Sequence, residues 1–336
     1  MKLIYEGSVK NLYEADDPAY LWFEFTDDYS VFDWGKMPDP IQGKGVALAK
    51  LAEWFFGQLS DPAEWERLGL ATEAEQAGTL PLRHHFRERS GNRIRVAKVD
   101  VPQLPSASVG GVLVYDYSFE RKPTQLIPLE VIFRFGVPKG SSLLKRKDWY
   151  ALPIHEGAEF EEPLIEFSTK LESSDRILTY QEAVHLVQGS GQALGRIHRA
   201  TAAVARFRQR LFEERGLKRW DGKLEWAHID GELALVDSIG PDELRVALGD
   251  AVFSKQFLRD FYDGGEWFNS VEKSKSLAKE RGTADWKSIV TGELKSGPEP
   301  LSAAYRDAAE ALYADFYRIV VEGGPSTRFT DAVGRL

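Results

Sequence analysis

An Asp230-Gly231 pair set between two alternating segments commits the second half of this chain to an antiparallel hairpin, because Asp and Gly supply the positive backbone angles a tight turn needs. The first arm runs through Lys223, Leu224 and Glu225, and the returning arm ends on Asp237. A three-residue turn with Gly231 left-handed is expected to set Asp237 diagonally across from Glu225 on one sheet face, within about 8 Å. That spacing suits one hard cation, since magnesium takes one or two carboxylates plus substrate phosphates. An exposed hairpin with solvated acids has the same local pattern. Asp237, however, also opens the run Asp237-Ser-Ile-Gly-Pro-Asp242-Glu-Leu-Arg245, whose second acid and arginine exceed what a surface turn needs.

With 336 residues, 43% of them hydrophobic, the chain can build one large or two ordinary domains around a substantial core. It holds no cysteine, which excludes disulfides, thiolate catalysis and cysteine-ligated zinc and points to a reducing, cytoplasmic setting. The N-terminus enters strand-like sequence without a signal peptide, and no apolar run approaches the roughly 18 residues of a membrane span. A net charge of -9 argues against nucleic-acid partners while leaving room for a local basic pocket that takes phosphates.

The first third reads as strands over Lys2 to Glu6, Val9 to Tyr13 and Tyr20 to Thr26. A helix is expected after Gly45, with Leu48, Leu51, Ala52, Phe55 and Leu59 on one stripe, followed by a polar, irregular stretch with short helical pieces over 60–92. Strands resume at Ile94 to Val101, Gly111 to Tyr117 and Ile127 to Phe135. A helix capped by Thr179 with Glu182 at the capping-box position comes next, interrupted around Gly189-Ser-Gly191. The last helix runs from about Leu301 to Val321, with Tyr305, Ala308, Leu312, Phe316 and Ile319 aligned. Strands first and mixed elements later indicate an α+β protein.

Three further clusters carry phosphate chemistry. Gly7-Ser8-Val9-Lys10 puts a glycine at a strand-to-strand turn and a lysine on the next strand, as in a flap laid over nucleotide phosphates. Ser30-Val-Phe-Asp33 leads to Gly43-Lys44-Gly45 at a helix start, where free N–H groups could meet an anion. Arg134 is followed by Gly136, Lys139, Gly140, Ser141 and Ser142. Each taken alone is compatible with an ordinary loop.

Taken in order, Tyr5-Glu-Gly7-x-x-Lys10-x-x-Tyr13, Ser30-x-Phe-Asp33, Gly43-Lys44-Gly45, Pro128-Leu-Glu130-x-x-x-Arg134, Gly140-Ser141, Ser168-Thr-Lys170-x-Glu-x-x-Asp175-Arg176, Asp221-x-Lys223-x-Glu225, Asp237-x-x-x-Pro241-Asp242-x-x-Arg245 and Lys255-x-x-x-Arg259 resemble the SAICAR synthetase family from residue 3 to about 262. The resemblance implies an ATP-dependent ligase of purine biosynthesis that joins 5-amino-1-(5-phosphoribosyl)imidazole-4-carboxylate to L-aspartate through an acyl phosphate. It implies a two-lobed fold: an antiparallel-sheet ATP-binding lobe over 1–120 with an insertion-like 60–92, a mixed α/β substrate- and metal-binding lobe over 121–265, and a C-terminal helical extension over 266–336. Its cofactors would be ATP and Mg2+ and its partners small molecules, with a homo-oligomer left open.

Carried over by position, Gly7, Ser8, Val9 and Lys10 resemble the ATP flap, Glu225 and Asp237 the magnesium-linked acids, and Lys223 a group at the reacting phosphoryl. Asp221, Lys223 and Arg245 resemble the catalytic set, and Ser30, Asp33, Lys44, Arg134, Ser141, Asp175, Arg245, Lys255 and Arg259 the substrate-binding set. The chain departs from the family pattern at Ser8 (usually lysine), Ser238 (usually glutamate), Gly240 (usually Ser or Thr) and a longer 135–140 loop. These departures fit a divergent lineage of the ordinary enzyme, and would also suit a paralogue with another carboxylate or amine substrate, or a nucleotide-binding regulator; a kinase reading lacks a His-Arg-Asp loop. His84-His85 reads as a solvated or phosphate-facing pair, His185 and His198 as satisfied or exposed, His228 as packing, and Trp22, Trp34 and Trp54 as core. Glu272 to Gly282 reads as a solvated helix face.

Overall fold

The aromatic and β-branched runs near the N-terminus pair into an antiparallel sheet in a computed structural model that describes residues 1–110, 112–187, 191–325 and 328–336. Its strands are β1 (Leu3–Glu6), β2 (Lys10–Glu14), β3 (Tyr20–Phe25), β4 (Phe86–Ser90) and β5 (Arg93–Ala97), in the order β1-β2-β3-β5-β4. Helix α1 (Lys44–Ser60) buries the expected stripe of Leu48, Leu51, Ala52, Phe55 and Leu59 against this sheet. The polar stretch after it holds α2 (Pro62–Arg67) and α3 (Ala71–Ala77) before β4. Strand β5 stops at Ala97, short of the expected Val101, because the chain leaves the sheet and makes a lone bridge from Asp100 to Gln125.

A separate ribbon pairs β6 (Ser106–Val109) with β7 (Val112–Tyr115); Gly111, the expected strand start, lies outside the described residues. The second large sheet follows the order β10-β9-β8-β11-β13-β14, with β12 on β11. These strands are β8 (Gln125–Gly136), β9 (Glu159–Thr169), β10 (Ile177–Leu178), β11 (Lys218–Ile229), β12 (Glu232–Val236), β13 (Leu244–Leu248) and β14 (Ala251–Phe253). Helix α4 (Tyr180–Leu186) carries the full Thr179–Glu182 capping box. The expected break at Gly189-Ser-Gly191 falls on residues 188–190, outside those described, and α5 (Gly191–Glu213) begins at Gly191 and packs across β11, β9 and β8.

Helices α6 (Gln256–Tyr262), α7 (Glu266–Glu280), α8 (Trp286–Ser288), α9 (Ala303–Tyr317) and α10 (Arg328–Val333) complete the chain. The expected last helix is α9 with a π-helical end at Arg318–Glu322, and it packs on α1. One continuous apolar core joins residues of both large sheets, such as Phe25, Ile94, Val131 and Phe133, to α1, α5 and α9. The C-terminal helices therefore belong to the core that supports both sheets.

Candidate active site

Side chains two apart on a strand share a face, so Asp221, Lys223 and Glu225 on β11 line up with Glu130, Ile132 and Arg134 on β8. The register confirms it: Asp221 stands opposite Arg134, Lys223 opposite Ile132 and Glu225 opposite Glu130. On the other side of β11, Asp221 stands opposite Arg245 of β13. Adjacent strands thus bring cations and acids from distant sequence positions onto one wall.

The β11–β12 hairpin differs from expectation. Its turn is two residues long, with Asp230 (φ 54) and Gly231 (φ 81) both left-handed and Ile229 pairing with Glu232. Asp tolerates that conformation, so the tighter turn forms. Glu225 consequently faces Val236, and Asp237 falls just past the ladder with φ 66, where the backbone bends away. The two acids still act on each other. Burial pushes the Glu225 carboxyl up to about 7 and Asp237 adds to the rise, while Lys170 and Lys223 pull against it. Burial would raise Asp237 too, but Lys10 and Lys170 overcome it and hold Asp237 well below the usual carboxylate range.

Around these acids the structure builds a lysine and carboxylate junction. Lys170 Nζ lies 2.5 Å from Glu225 Oε1 and 3.5 Å from Glu130. Lys223 donates to Glu130 and lies 3.8 Å from Glu225. Lys10, at the start of β2, is ion-paired to Asp237 and donates to Ser238 Oγ at 3.3 Å. Ser238 in turn donates to Glu243 Oε1 at 2.8 Å. The flap turn is glycine-dependent, because a Cβ on Gly7 would run into the Lys10 carbonyl oxygen that accepts the Gly7 N–H. Val9 is fixed by accepting the Thr26 N–H at 3.1 Å.

Next to the junction opens a cleft of about 360 Å³, whose lining includes Arg134, Asp175, Asp221, Lys223, Arg245, Lys255 and Arg259. Asp221 accepts from Arg245 Nε at 2.8 Å and from Arg134 Nη1 at 3.0 Å. Lys255 caps α6 and Arg259 lies one turn on, so both reach the cleft from one helix end. Burial lowers the pKa of each, and each repels the other's charge or a neighbour's: Arg259 and Lys44 act on Lys255, and Arg245 acts on Arg259. Asp242 offsets part of this for both, and the net lowering of each still favours an anionic ligand beside them. Asp175 is pushed up to about 6, first by burial and then by Glu130.

Ser30, Asp33, Lys44 and Ser141 do not line this cleft. Lys44 is fully buried, 3.1 Å from Asp242 and over the Tyr313 ring, so its charge is directed at Asp242 and not into the cleft. The expected anion site at the start of α1 is filled from within, since the Asp27 carboxylate accepts the N–H groups of Gly43 at 3.2 Å and Gly45 at 2.9 Å. Ser141 caps the 3-10 helix Ser142–Trp149 by accepting the Leu143 N–H, and its neighbours Gly140 and Ser142 face the cleft. Asp33 is 81% exposed and pairs with Lys275 at 3.1 Å.

Several residues of the site had no role in the sequence reading. Glu166 on β9 is buried and accepts from Arg134 at 2.5 Å, Arg146 at 2.8 Å and Tyr150 at 2.6 Å. Tyr313 of α9 donates to Asp242 at 2.6 Å. His85 is buried, not solvated, with Nε2 2.9 Å from the Asp237 carbonyl oxygen, and His84 packs on Phe56. Lys170 and Glu130 stood in the motifs, but their cross-strand pairing with Glu225 needed the sheet order. Among the described residues, no cluster of three or more His, Asp or Glu could hold a metal ion by protein ligands alone.

Comparison with known proteins agrees with this architecture. A family model described as SAICAR synthetase matches residues 3–274. A relative from Archaeoglobus fulgidus, provisionally named a phosphoribosylaminoimidazole-succinocarboxamide synthase, is 33% identical over 329 residues and covers 92% of each chain. A phosphoribosylaminoimidazole-succinocarboxamide synthase from Thermoplasma acidophilum is 27% identical over 334 residues, 96% of this chain and 98% of its own. Among solved structures, a SAICAR synthetase in complex with ADP matches with TM-score 0.56 and 25% identity, covering 89% of this chain and 100% of that one. The SAICAR synthetase of Pyrococcus horikoshii matches with TM-score 0.55 and 25% identity over 87% of this chain and 100% of its own. On these grounds the chain belongs to the SAICAR synthetase family.

Proposed function

We propose that this protein joins the carboxylate of 5-amino-1-(5-phosphoribosyl)imidazole-4-carboxylate to the amine of L-aspartate, splitting ATP to ADP and phosphate, in purine biosynthesis. The observation that carries this reading is the adjacency of two unlike groups of side chains: the ion-paired lysine and carboxylate junction at Glu225 and Asp237, and the cleft lined by Arg134, Arg245, Lys255 and Arg259. A ligase of this kind must hold a triphosphate and a phosphorylated carboxylic acid side by side.

A carboxylate at neutral pH is a poor electrophile. In the reaction one of its oxygens attacks the γ-phosphorus of ATP, the bond to ADP breaks, and the acyl phosphate forms. The neutral amine of aspartate then attacks the acyl carbon and phosphate leaves with that oxygen, so charge neutralisation and placement supply most of the rate. Lys223 belongs to both groups, paired to Glu130 in the junction and lining the cleft, which suits it to the oxygens in transfer. Lys10 would meet the nucleotide phosphates from the flap. Arg259 and Lys255 would take the ribotide phosphate, and Asp221 fixes Arg134 and Arg245 toward the sugar and carboxylate end. The apolar group of Leu126, Ala227 and Val236, with Val99 and Leu171 against it, abuts Asp237 through Val236 and is our candidate for the adenine seat.

Magnesium is the cofactor we infer, and the residues fit it. A carboxylate as crowded as Glu225, beside a second acid, matches a metal that takes one or two carboxylates and completes its shell with phosphates and water. Glu225 and Asp237 would hold the ion, which would supply charge neutralisation on the phosphates. The cysteine-free composition supports a cytoplasmic setting. The direct test mixes protein, ATP, Mg2+, aspartate and the carboxylated ribotide. ADP and succinocarboxamide product in equal amounts support the reading, and ADP no higher than in an aspartate-free control refutes it.

A further inference from the structure

The loop after β3 is held in an unfavourable shape by a residue outside the family match. Phe32 and Asp33 both have positive φ, 55 and 62; aspartate tolerates that conformation, but a bulky aromatic residue such as Phe32 rarely adopts it. Lys275 of α7 donates to the Phe32 carbonyl oxygen at 3.2 Å and to Asp33 Oδ2 at 3.1 Å. The matched family segment ends at residue 274, one residue earlier. Rings from the same C-terminal helices enclose the turn: Phe32 packs on Phe268 and Trp267, and Trp34 packs on Trp267 and Trp286, over which Lys275 itself lies.

The loop is also tied to the ribotide side of the cleft. Tyr29 OH and Tyr262 OH are 2.7 Å apart, which joins the loop to the end of α6, the helix that Lys255 caps and that carries Arg259. The Asp33 charge acts on both Arg259 and Asp175 in the cleft. Among the described residues, no hydrogen bond or ion pair links Lys275 to the junction at Glu225 and Asp237.

We propose that Lys275 is a positioning residue for the ribotide substrate: it clamps the Phe32-Asp33 turn in its left-handed form, so that the C-terminal extension takes part in binding the phosphorylated carboxylate but not the nucleotide. The idea rests on the ligase reading above. Lys275 is 34% exposed and belongs to none of the buried apolar clusters, so its replacement empties no core position.

The test compares wild type, Lys275→Met and Lys275→Arg in steady-state assays and in hydrogen exchange. Lys275→Met should raise the ribotide KM about tenfold, since a charge-assisted bond to a strained turn is lost. It should also speed exchange at the amides of residues 30–34, lower Tm by only a few degrees and leave the ATP KM unchanged. Lys275→Arg should restore both properties, because guanidinium donates to the same oxygens. An unchanged ribotide KM, or an equal rise in the ATP KM, overturns the proposal while the ligase reading stands. A wild type that makes no product removes that reading and this role with it.

Discussion

Lys10 on the flap strand is ion-paired to Asp237, which lies 227 residues later at the end of the β11–β12 hairpin. The contact joins the two large sheets across the place where the nucleotide phosphates are assigned. His85 supports it from behind by bonding the Asp237 carbonyl oxygen, and Ser238 extends it to Glu243. Flap position and acid placement are thereby coupled.

Asp237→Asn should cut turnover by on the order of 10² or more, because the amide keeps the shape and removes the charge that pairs with Lys10 and is assigned to magnesium. Turnover near the wild-type value with the same magnesium dependence would contradict the assignment.

Arg259→Ala should weaken ribotide binding about 10- to 100-fold, the worth of one charge-assisted contact to a phosphate, and leave ATP affinity alone. Calorimetry with each ligand separately checks this. A larger loss for ATP than for the ribotide would move Arg259 to the nucleotide side.

Stability should depend on pH through His85. Burial pushes its pKa down to about 3 from the ordinary 6.5. Between those values the unfolded chain binds a proton that the folded chain does not, so stability is complete above about pH 6.5 and is lost as the pH falls. For one such histidine the loss from pH 6.5 to 5 is about 2 kcal/mol. Glu225 works in the opposite direction, since its raised pKa disfavours the fold as pH climbs toward about 7. The difference between wild type and His85→Gln in denaturant melts isolates the histidine: wild type should lose more stability than the variant on acidification, and parallel curves would refute the account.

Aspartate should remain the preferred amine despite the unusual 135–140 loop. Val137 there is fully buried with Leu143, Ile154 and Ala158, so the loop is a packed element that presents Gly140 and Ser142 to the cleft. Competing amino acids at equal concentration should show discrimination above about tenfold, as expected when a buried cation would otherwise be left unpaired. Faster turnover of glutamate, alanine or a plain amine would mean a paralogue with another substrate.

Much of this was legible in the sequence because period-two motifs translate directly into one strand face. Asp221, Lys223, Arg134, Arg245, Lys255 and Arg259 line one cleft, and Glu225 stands opposite Glu130 at its margin. The reading went astray where a local pattern had a competing solution. Gly43-Lys44-Gly45 looked like an anion site, but Asp27 caps those N–H groups and Lys44 turns inward to Asp242. Strand β9 was not anticipated, because Pro163 and its glutamates mask the alternation, and with it went the role of Glu166. The His84-His85 pair resembled a polar surface, whereas the sheet edge places His85 behind Asp237. Tyr313 could not be placed from sequence at all, since only the packing of α9 on α1 brings it to Asp242.

The central claim is that the junction and the cleft cooperate to turn a carboxylate into an acyl phosphate. It is tested most directly by supplying ribotide labelled with 18O in the carboxylate, together with ATP, Mg2+ and aspartate, and following the label by mass spectrometry. The account predicts one labelled oxygen in the released phosphate for each product molecule. Product formed with unlabelled phosphate would contradict it.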